Sequence, residues 1–91
     1  MLKFEWDKAK ARTNAKRHGI TFEEASSVFG DPLAVTFNDP DHSLQENRFL
    51  TFGVASGGRL LVVIHTERKG NIRIISARLA TRGEGKRYEQ G

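Results

Sequence analysis

The stretch RLLVVIHTERKGNIRIISAR, residues 59–78, decides the fold because it places two runs rich in Val and Ile on either side of a Lys-Gly turn. β-Branched residues favour strands and glycine permits a tight turn, so the stretch predicts a β-hairpin. Residues 33–38 and 49–54 show the same twofold period, with the loop NDPDHSLQE at 38–46 between them. Four consecutive strands of this kind predict an antiparallel meander.

The segment before the meander predicts a short strand and a first helix. LKFEW at residues 2–6 alternates apolar and charged side chains, as a strand does. Asp7 can cap the helix KAKARTNAKRH at residues 8–18, and Gly19 can end it. The inner side of this helix is predicted to hold Ala11, Ala15 and His18.

A second helix is predicted to follow at once. Thr21 and Glu24 fit a capping box, in which each side chain bonds the backbone of the other residue. An apolar stripe then runs along the helix to the stop at Gly30 and Pro32, and it consists of Phe22, Ala25 and Phe29.

The predicted fold class is α+β, in a single domain over residues 1–91. A short N-terminal strand and two helices packed on one face of an antiparallel sheet are followed by a short C-terminal helix. That last helix lies in LATRGEGKRYEQG, residues 79–91, and Gly83 and Gly85 are expected to weaken it.

Composition indicates a soluble cytoplasmic protein. There is no cysteine, so disulfides and thiolate metal sites are excluded and a reducing compartment is expected. The longest apolar run is LLVVI at residues 60–64, too short for a membrane span, and the N-terminal residues do not resemble a signal peptide. No cofactor is expected.

The positive charge is concentrated near the C-terminus. Residues 1–58 hold seven Lys/Arg against eight Asp/Glu, whereas residues 59–91 hold eight against three, within a net charge of +4. Such segregation suits a polyanion such as RNA, although a purely solubilising role is equally compatible with it. An Asp- and His-containing segment at residues 38–42 is a turn by composition, and a divalent-metal nuclease site there is a minor alternative.

The loop register of the hairpin decides which charges share a face. A three-residue loop, Lys69 to Asn71, would keep the even positions of both strands toward the helices and place His65, Glu67 and Arg73 together on the open face. A two- or four-residue loop would instead pair Glu67 with Ile72 and move Arg73 beside Thr66. We favour the first register because it keeps one face apolar.

A histidine, a carboxylate and an arginine are the groups that RNA cleavage without a metal requires. His65 could act as acid or base, Glu67 could act as base or orient the histidine, and Arg73 could stabilise charge on phosphorus during attack by the 2′-OH. On spacing alone, an ordinary cross-strand ion pair is the better explanation. A non-catalytic nucleic-acid-binding or interaction module is therefore the alternative function.

Across nearly its whole length the sequence resembles the BrnT toxins of bacterial type II toxin–antitoxin systems. The matching motifs, in order, are FEWDKAKARTNAKRHGITFEEA, VFGDPLA, RFLTFGVA, VVIHTER and IRIISARLATR. The resemblance implies a RelE-like fold, a metal-independent ribonuclease that inhibits translation, and a DNA-binding antitoxin partner, BrnA, in a heterotetramer. We expect antitoxin segments to mask the cleft, because the charged sheet face and the edge strands of so small a domain offer a surface to another chain.

Carried over position by position, the resemblance points to His65, Glu67, Arg68, Arg73 and Arg78, with Arg82 and Tyr88 beside them. The charges of the hairpin turn and of the last helix add Lys69, Lys86 and Arg87. Together these residues form two predicted groups. The catalytic group is His65, Glu67, Arg73 and Arg78. The RNA-binding group is Arg68, Lys69, Arg82, Lys86, Arg87 and Tyr88.

Several of these residues have a structural alternative. Arg78 could instead pair with Asp31 or Glu84, Tyr88 could anchor the last helix, and the cations of that helix could be a solvated face. Family members commonly have Arg-Glu-Arg where this chain has Gly83 to Gly85, which leaves the rigidity of the helix open.

Overall fold

The computed structural model describes residues 2–39 and 47–91. The described elements, in chain order, are β1 (Phe4–Glu5), α1 (Lys8–His18), α2 (Phe22–Ser27), a 3₁₀ turn (Val28–Gly30), β2 (Val35–Asn38), β3 (Arg48–Val54), β4 (Leu60–Arg68), β5 (Asn71–Leu79) and α3 (Arg82–Gln90). The strands form one sheet in the order β1-β5-β4-β3-β2. The predicted α+β class and the antiparallel meander are confirmed, and β1 adds a parallel strand beside β5. In the part of the chain that the structure describes, no helix is long and apolar enough to cross a membrane.

The ends of the first two helices follow the predicted capping, with one difference. Asp7 accepts from the Lys10 N–H at 3.0 Å, and Gly19 ends α1 with φ 69°. Thr21 accepts from the Glu24 N–H at 3.1 Å. The Glu24 carboxylate, however, bonds the guanidinium of Arg59 on the sheet rather than the backbone at Thr21. The capping box is therefore half formed, because the carboxylate joins an ion pair.

Helices α1 and α2 cover one face of the sheet and enclose the main core. Its buried residues come from the segment before α2, from α2 and the 3₁₀ turn, and from β4 and β5. They include Ile20, Phe22, Ala25, Val28, Leu61, Val63, Ile74 and Ala77. Gly53 lies directly under this layer, since a Cβ at that position would be 2.7 Å from Cγ1 of Val28. The glycine thus sets how closely the 3₁₀ turn approaches the sheet.

Asn14, which the sequence reading missed, joins α1 to β5. Its carboxamide oxygen accepts from the Ala77 N–H at 3.1 Å, and its NH₂ donates to the carbonyls of Ala77 at 2.8 Å and Ile20 at 3.0 Å. The side chain is only 6% exposed. Pairing between β1 and β5 ends at Arg73. Beyond that point Asn14 takes the place of a neighbouring strand and supplies hydrogen-bond partners to the β5 backbone.

Helix α3 packs on the opposite face of the sheet and is well formed despite its glycines. Thr81 and Glu84 make a complete capping box, which fixes the first turn. The Arg87 guanidinium lies 4.0 Å from the centre of the Phe37 ring, on the face where Phe52 and Val62 are buried. The short C-terminal helix is therefore present as predicted, and side-chain contacts at its N-terminus and its inner face help to hold it despite the low helix propensity of glycine.

Candidate functional site

The hairpin turn has two residues, and this sets the register of the site. Arg68 pairs with Asn71, and Thr66 lies opposite Arg73. Lys69 and Gly70 have φ values of 53° and 81°, as a two-residue type I′ turn requires. The predicted three-residue loop is therefore wrong, and the register that was set aside is the observed one.

His65 consequently points into the core and not onto the open face. It is 5% exposed, with Phe29 edge-on at 4.9 Å and Phe49 stacked at 5.7 Å between ring centres. Its Nε2 lies 2.7 Å from the hydroxyl oxygen of Thr51. Burial lowers the pKa of the imidazole to about 4, so the ring is neutral at pH 7. The predicted grouping of His65 with Glu67 and Arg73 on one open face is wrong.

A β-bulge interrupts the alternation of side chains in β5. Ile64 pairs with Ser76 whereas His65 pairs with Ile74, so Ile75 is an extra residue in β5. Because of this insertion Ile74 and Ala77 both face the core, although one position is even and the other odd. Even or odd numbering therefore cannot predict the sheet face of β5 side chains on both sides of the bulge.

A polar cleft of about 360 Å³ opens where β3, β4 and β5 end beside the hairpin turn. Its lining residues are Asn47, Phe49, Thr66, Glu67, Arg68 and Arg73. Thr66 donates to the carbonyl of Asn47 at 2.7 Å, which joins the start of β3 to β4. Arg73 lies beside β1, where its guanidinium donates to Glu5 at 3.3 Å. The cleft is thus held by short polar contacts around a group of charged side chains.

The cleft combines one exposed carboxylate with two guanidinium groups. Glu67 and Arg68 are exposed at the end of β4 on opposite faces of the sheet, and Arg73 lines the cleft from β5 on the same face as Thr66 and Arg68. A carboxylate can take a proton from a hydroxyl, and guanidinium groups bind phosphate oxygens through paired N–H donors. Arg48 lies opposite Thr66 on the adjoining strand and adds to the positive charge of this end of the sheet. The arrangement therefore suits a phosphodiester.

Arg78 does not line the cleft. Its guanidinium makes two hydrogen bonds to the Glu84 carboxylate, at 2.7 and 2.8 Å, so one of its two structural alternatives is found. The guanidinium and the Thr81 N–H hold the pKa of Glu84 at about 2. Arg78 thus connects β5 to the first turn of α3.

The remaining predicted RNA-binding residues divide between structural contacts and open surface. Tyr88 donates to Asp31 at 2.6 Å and anchors α3, which lowers the pKa of that carboxyl. Arg87 packs over Phe37. Lys69, Arg82 and Lys86 are exposed, and among them only Lys69 adjoins the cleft, through its position in the hairpin turn.

The alternative metal site falls mostly outside the described residues. Asp39 is buried at the end of β2, and Asp41 and His42 lie in the segment that is not described. Within residues 2–39 and 47–91, no group of three or more His, Cys, Asp or Glu side chains could hold a metal ion.

Comparison with known proteins gives a consistent assignment. A family model described as the ribonuclease toxin BrnT of type II toxin–antitoxin systems matches residues 6–84. The crystal structure of the Brucella abortus ribonuclease toxin BrnT is similar in fold, with a TM-score of 0.69 over 90% of this chain and 100% of that chain at 24% sequence identity. Among curated proteins, none matches the chain.

Proposed function

The chain belongs to the BrnT family of ribonuclease toxins of type II toxin–antitoxin systems, and on that premise we propose that it cleaves RNA without a metal ion and so inhibits translation in the cytoplasm. The observation that carries the proposal is the cleft that brings Glu67, Arg68 and Arg73 together. Its charges are those that a phosphodiester and a ribose hydroxyl require.

In the proposed reaction Glu67 acts as the general base. It removes the proton of the ribose 2′-OH, and the resulting oxygen attacks the adjacent phosphorus. Arg68 and Arg73 stabilise the negative charge that develops on the phosphoryl oxygens. The 5′-oxygen leaves with a proton from solvent, and the products are a 2′,3′-cyclic phosphate and a 5′-hydroxyl.

His65 has a different role from the one expected of it. A neutral imidazole behind the ring of Phe49 does not reach a substrate in the cleft, so we assign it to positioning rather than proton transfer. Lys69 extends the phosphate-binding surface beside the cleft, and Arg82 and Lys86 offer a further RNA contact on α3. Arg78, Arg87 and Tyr88 act by holding α3 on the sheet.

The test is RNA cleavage by the purified protein in EDTA. Glu67→Gln and Arg73→Gln should each lower the rate by about 100-fold or more, since a general base and a charge-stabilising donor each contribute on that scale. The matched controls Glu23→Gln and Arg12→Gln change exposed charges away from the cleft and should cleave normally. End mapping should find 2′,3′-cyclic phosphates.

Two other results would support a different function. RNA binding with no cleavage by the wild-type chain would support the non-catalytic binding module. Cleavage that appears only when Mg²⁺ is added would support the segment that contains Asp39, Asp41 and His42.

The proposed partner is a BrnA-like DNA-binding antitoxin in a heterotetramer, since the family is defined by a toxin–antitoxin pair. An antitoxin segment that covers the cleft would exclude RNA from Glu67 and Arg73. The purified complex should therefore lack ribonuclease activity, and the Arg73 side chain should become less exposed in it. Full activity in the complex would contradict masking of the cleft.

A further inference from the structure

Helix α1 carries a positive charge that is offset only by the Asp7 carboxylate near Lys10 among the described residues. Eleven residues hold five cations and no acidic side chain, and all five cations are exposed: Lys8, Lys10, Arg12, Lys16 and Arg17. Within residues 2–39 and 47–91, none of the five makes an ion pair or a side-chain hydrogen bond. Lys8, Arg12 and Lys16 also repel one another at i,i+4 spacing, at a cost of about 0.2–0.5 kcal/mol per pair. A surface of this kind suits an external polyanion.

One side of α1 forms a groove with β5, of about 280 Å³. Lys10 and Arg17 lie two helical turns apart along it, and Thr13 lies between them. The floor is rigid, because the Asn14 carboxamide is bonded to the Ala77 backbone and accepts from the Ser76 hydroxyl at 3.2 Å. The groove therefore has a fixed polar floor and a cationic rim.

The groove lies near the proposed active cleft, along the same strand. Arg73 lines the cleft, and Ser76 lines the groove three residues later. At about 3.3 Å per residue the two sites are separated by about 10 Å along β5. Glu5 pairs with Arg73, and α1 begins three residues after Glu5, so the first turn of α1 is placed beside the cleft.

We propose that the groove between α1 and β5 is a second RNA-binding site, which holds the phosphodiester backbone of the strand whose scissile bond lies in the cleft. Lys10 and Arg17 contact phosphates, and the Thr13 hydroxyl donates to a third oxygen. Proximity to the cleft favours RNA over an acidic peptide as the occupant. This inference rests on the proposed function, because RNA is the ligand at both places.

The test compares two double variants of α1. Lys10→Gln with Arg17→Gln removes two charges from the groove, whereas Arg12→Gln with Lys16→Gln removes two charges from the same helix outside it. Glutamine has nearly the helix propensity of lysine and arginine, so both variants should fold. The unfolding midpoint of the groove variant should be close to that of the wild type, because Lys10 and Arg17 have no like-charged partner at i,i+4 spacing. The control variant should be at least as stable as the wild type, since it relieves the repulsion among Lys8, Arg12 and Lys16.

The probes are a single-stranded 2′-O-methyl RNA longer than about 16 nucleotides, which cannot be cleaved by 2′-OH attack, and a cleavable dinucleotide. For the long RNA, the groove variant should bind roughly tenfold more weakly at low salt. The slope of log K against log salt concentration should be about 1.4 units shallower, as two lost phosphate contacts predict. The control variant should retain most of the affinity and slope. Dinucleotide cleavage should be unchanged in both variants, because the one phosphodiester of this substrate lies in the cleft and no other phosphate reaches the groove.

Two results would overturn the proposal. Equal weakening in the two double variants would mean that only the total charge of α1 matters. Loss of antitoxin binding in the groove variant, with RNA binding intact, would assign the groove to an acidic protein surface. Groove-dependent binding by a wild-type chain that cleaves nothing would refute the proposed catalysis alone, since the 2′-O-methyl probe measures binding without cleavage.

Discussion

The imidazole Nε2 of His65 lies 2.7 Å from the hydroxyl of Thr51, and that hydroxyl lies 2.8 Å from the hydroxyl of Thr36. The three side chains form a polar row across β4, β3 and β2 beneath the helices. Phe29 and Phe49 enclose the ring. The histidine is thus built into the sheet, and protonating it would place a charge in the core.

Acid stability should therefore depend on His65. Burial lowers the folded-state pKa from 6.5 to about 4, so between these values the unfolded chain binds a proton that the native chain does not. The free energy of unfolding should fall by about 1.4 kcal/mol per pH unit across this window, about 3 kcal/mol in all. In His65→Phe this loss should disappear, as measured by urea unfolding at pH 7 and pH 5. His18→Gln, which leaves His65 in place, should keep it, and an unchanged pH dependence in His65→Phe would contradict the account.

Asn14 should be one of the most sensitive polar positions. Asn14→Leu leaves the Ala77 N–H and C=O without partners at a buried edge, so the free energy of unfolding should fall by roughly 3 kcal/mol. Asn14→Asp should also be destabilising, because a second oxygen would face the carbonyls of Ala77 and Ile20. Thr13→Ala, on the exposed side of α1, should change stability little. Urea unfolding and faster hydrogen exchange at the Ala77 amide would measure the effect.

The pair Arg78 and Glu84 should hold α3 on the sheet. A double-mutant cycle with Arg78→Gln and Glu84→Gln should give a coupling of about 1 kcal/mol at pH 7, limited by partial exposure of both side chains. Because the folded-state pKa of Glu84 is lowered to about 2, this stabilisation is present above pH 4.5 and is lost as the pH falls toward 2. Glu89→Gln, on the exposed side of α3, is the matched control. A coupling of zero would mean that other contacts dock the helix.

Gly53 should tolerate no side chain while Val28 is present. Gly53→Ala places a Cβ 2.7 Å from Cγ1 of Val28 and should lower the free energy of unfolding by about 2 kcal/mol. Adding Val28→Ala should recover part of that loss, although this second change removes buried apolar surface. Thermal unfolding of the two single variants and the double variant measures the interaction. Additive losses would show that Val28 is not the obstacle.

The local features of the chain were predictable because they depend on neighbouring residues. Asp7 and Gly19 bound α1 through contacts within one turn, and the Lys69-Gly70 dipeptide marked the hairpin. The cleft residues Glu67, Arg68 and Arg73 were also identified from the sequence as site residues. Their grouping with His65 failed for two reasons. The two-residue turn places Arg73 opposite Thr66, and the odd positions of β4 face the helices together with Leu61 and Val63.

The sequence by itself determined the α+β class, the order of elements and the family, since periodicity, capping residues and ordered motifs are all carried by the linear chain. Only the tertiary structure decided the place of His65, the ion pair between Arg78 and Glu84, and the bonds of Asn14 to the β5 edge. Each of these depends on partners distant in sequence or on a one-residue shift in strand pairing. A shift of that size reverses which face every later side chain occupies, and so it determines which charges meet in the cleft.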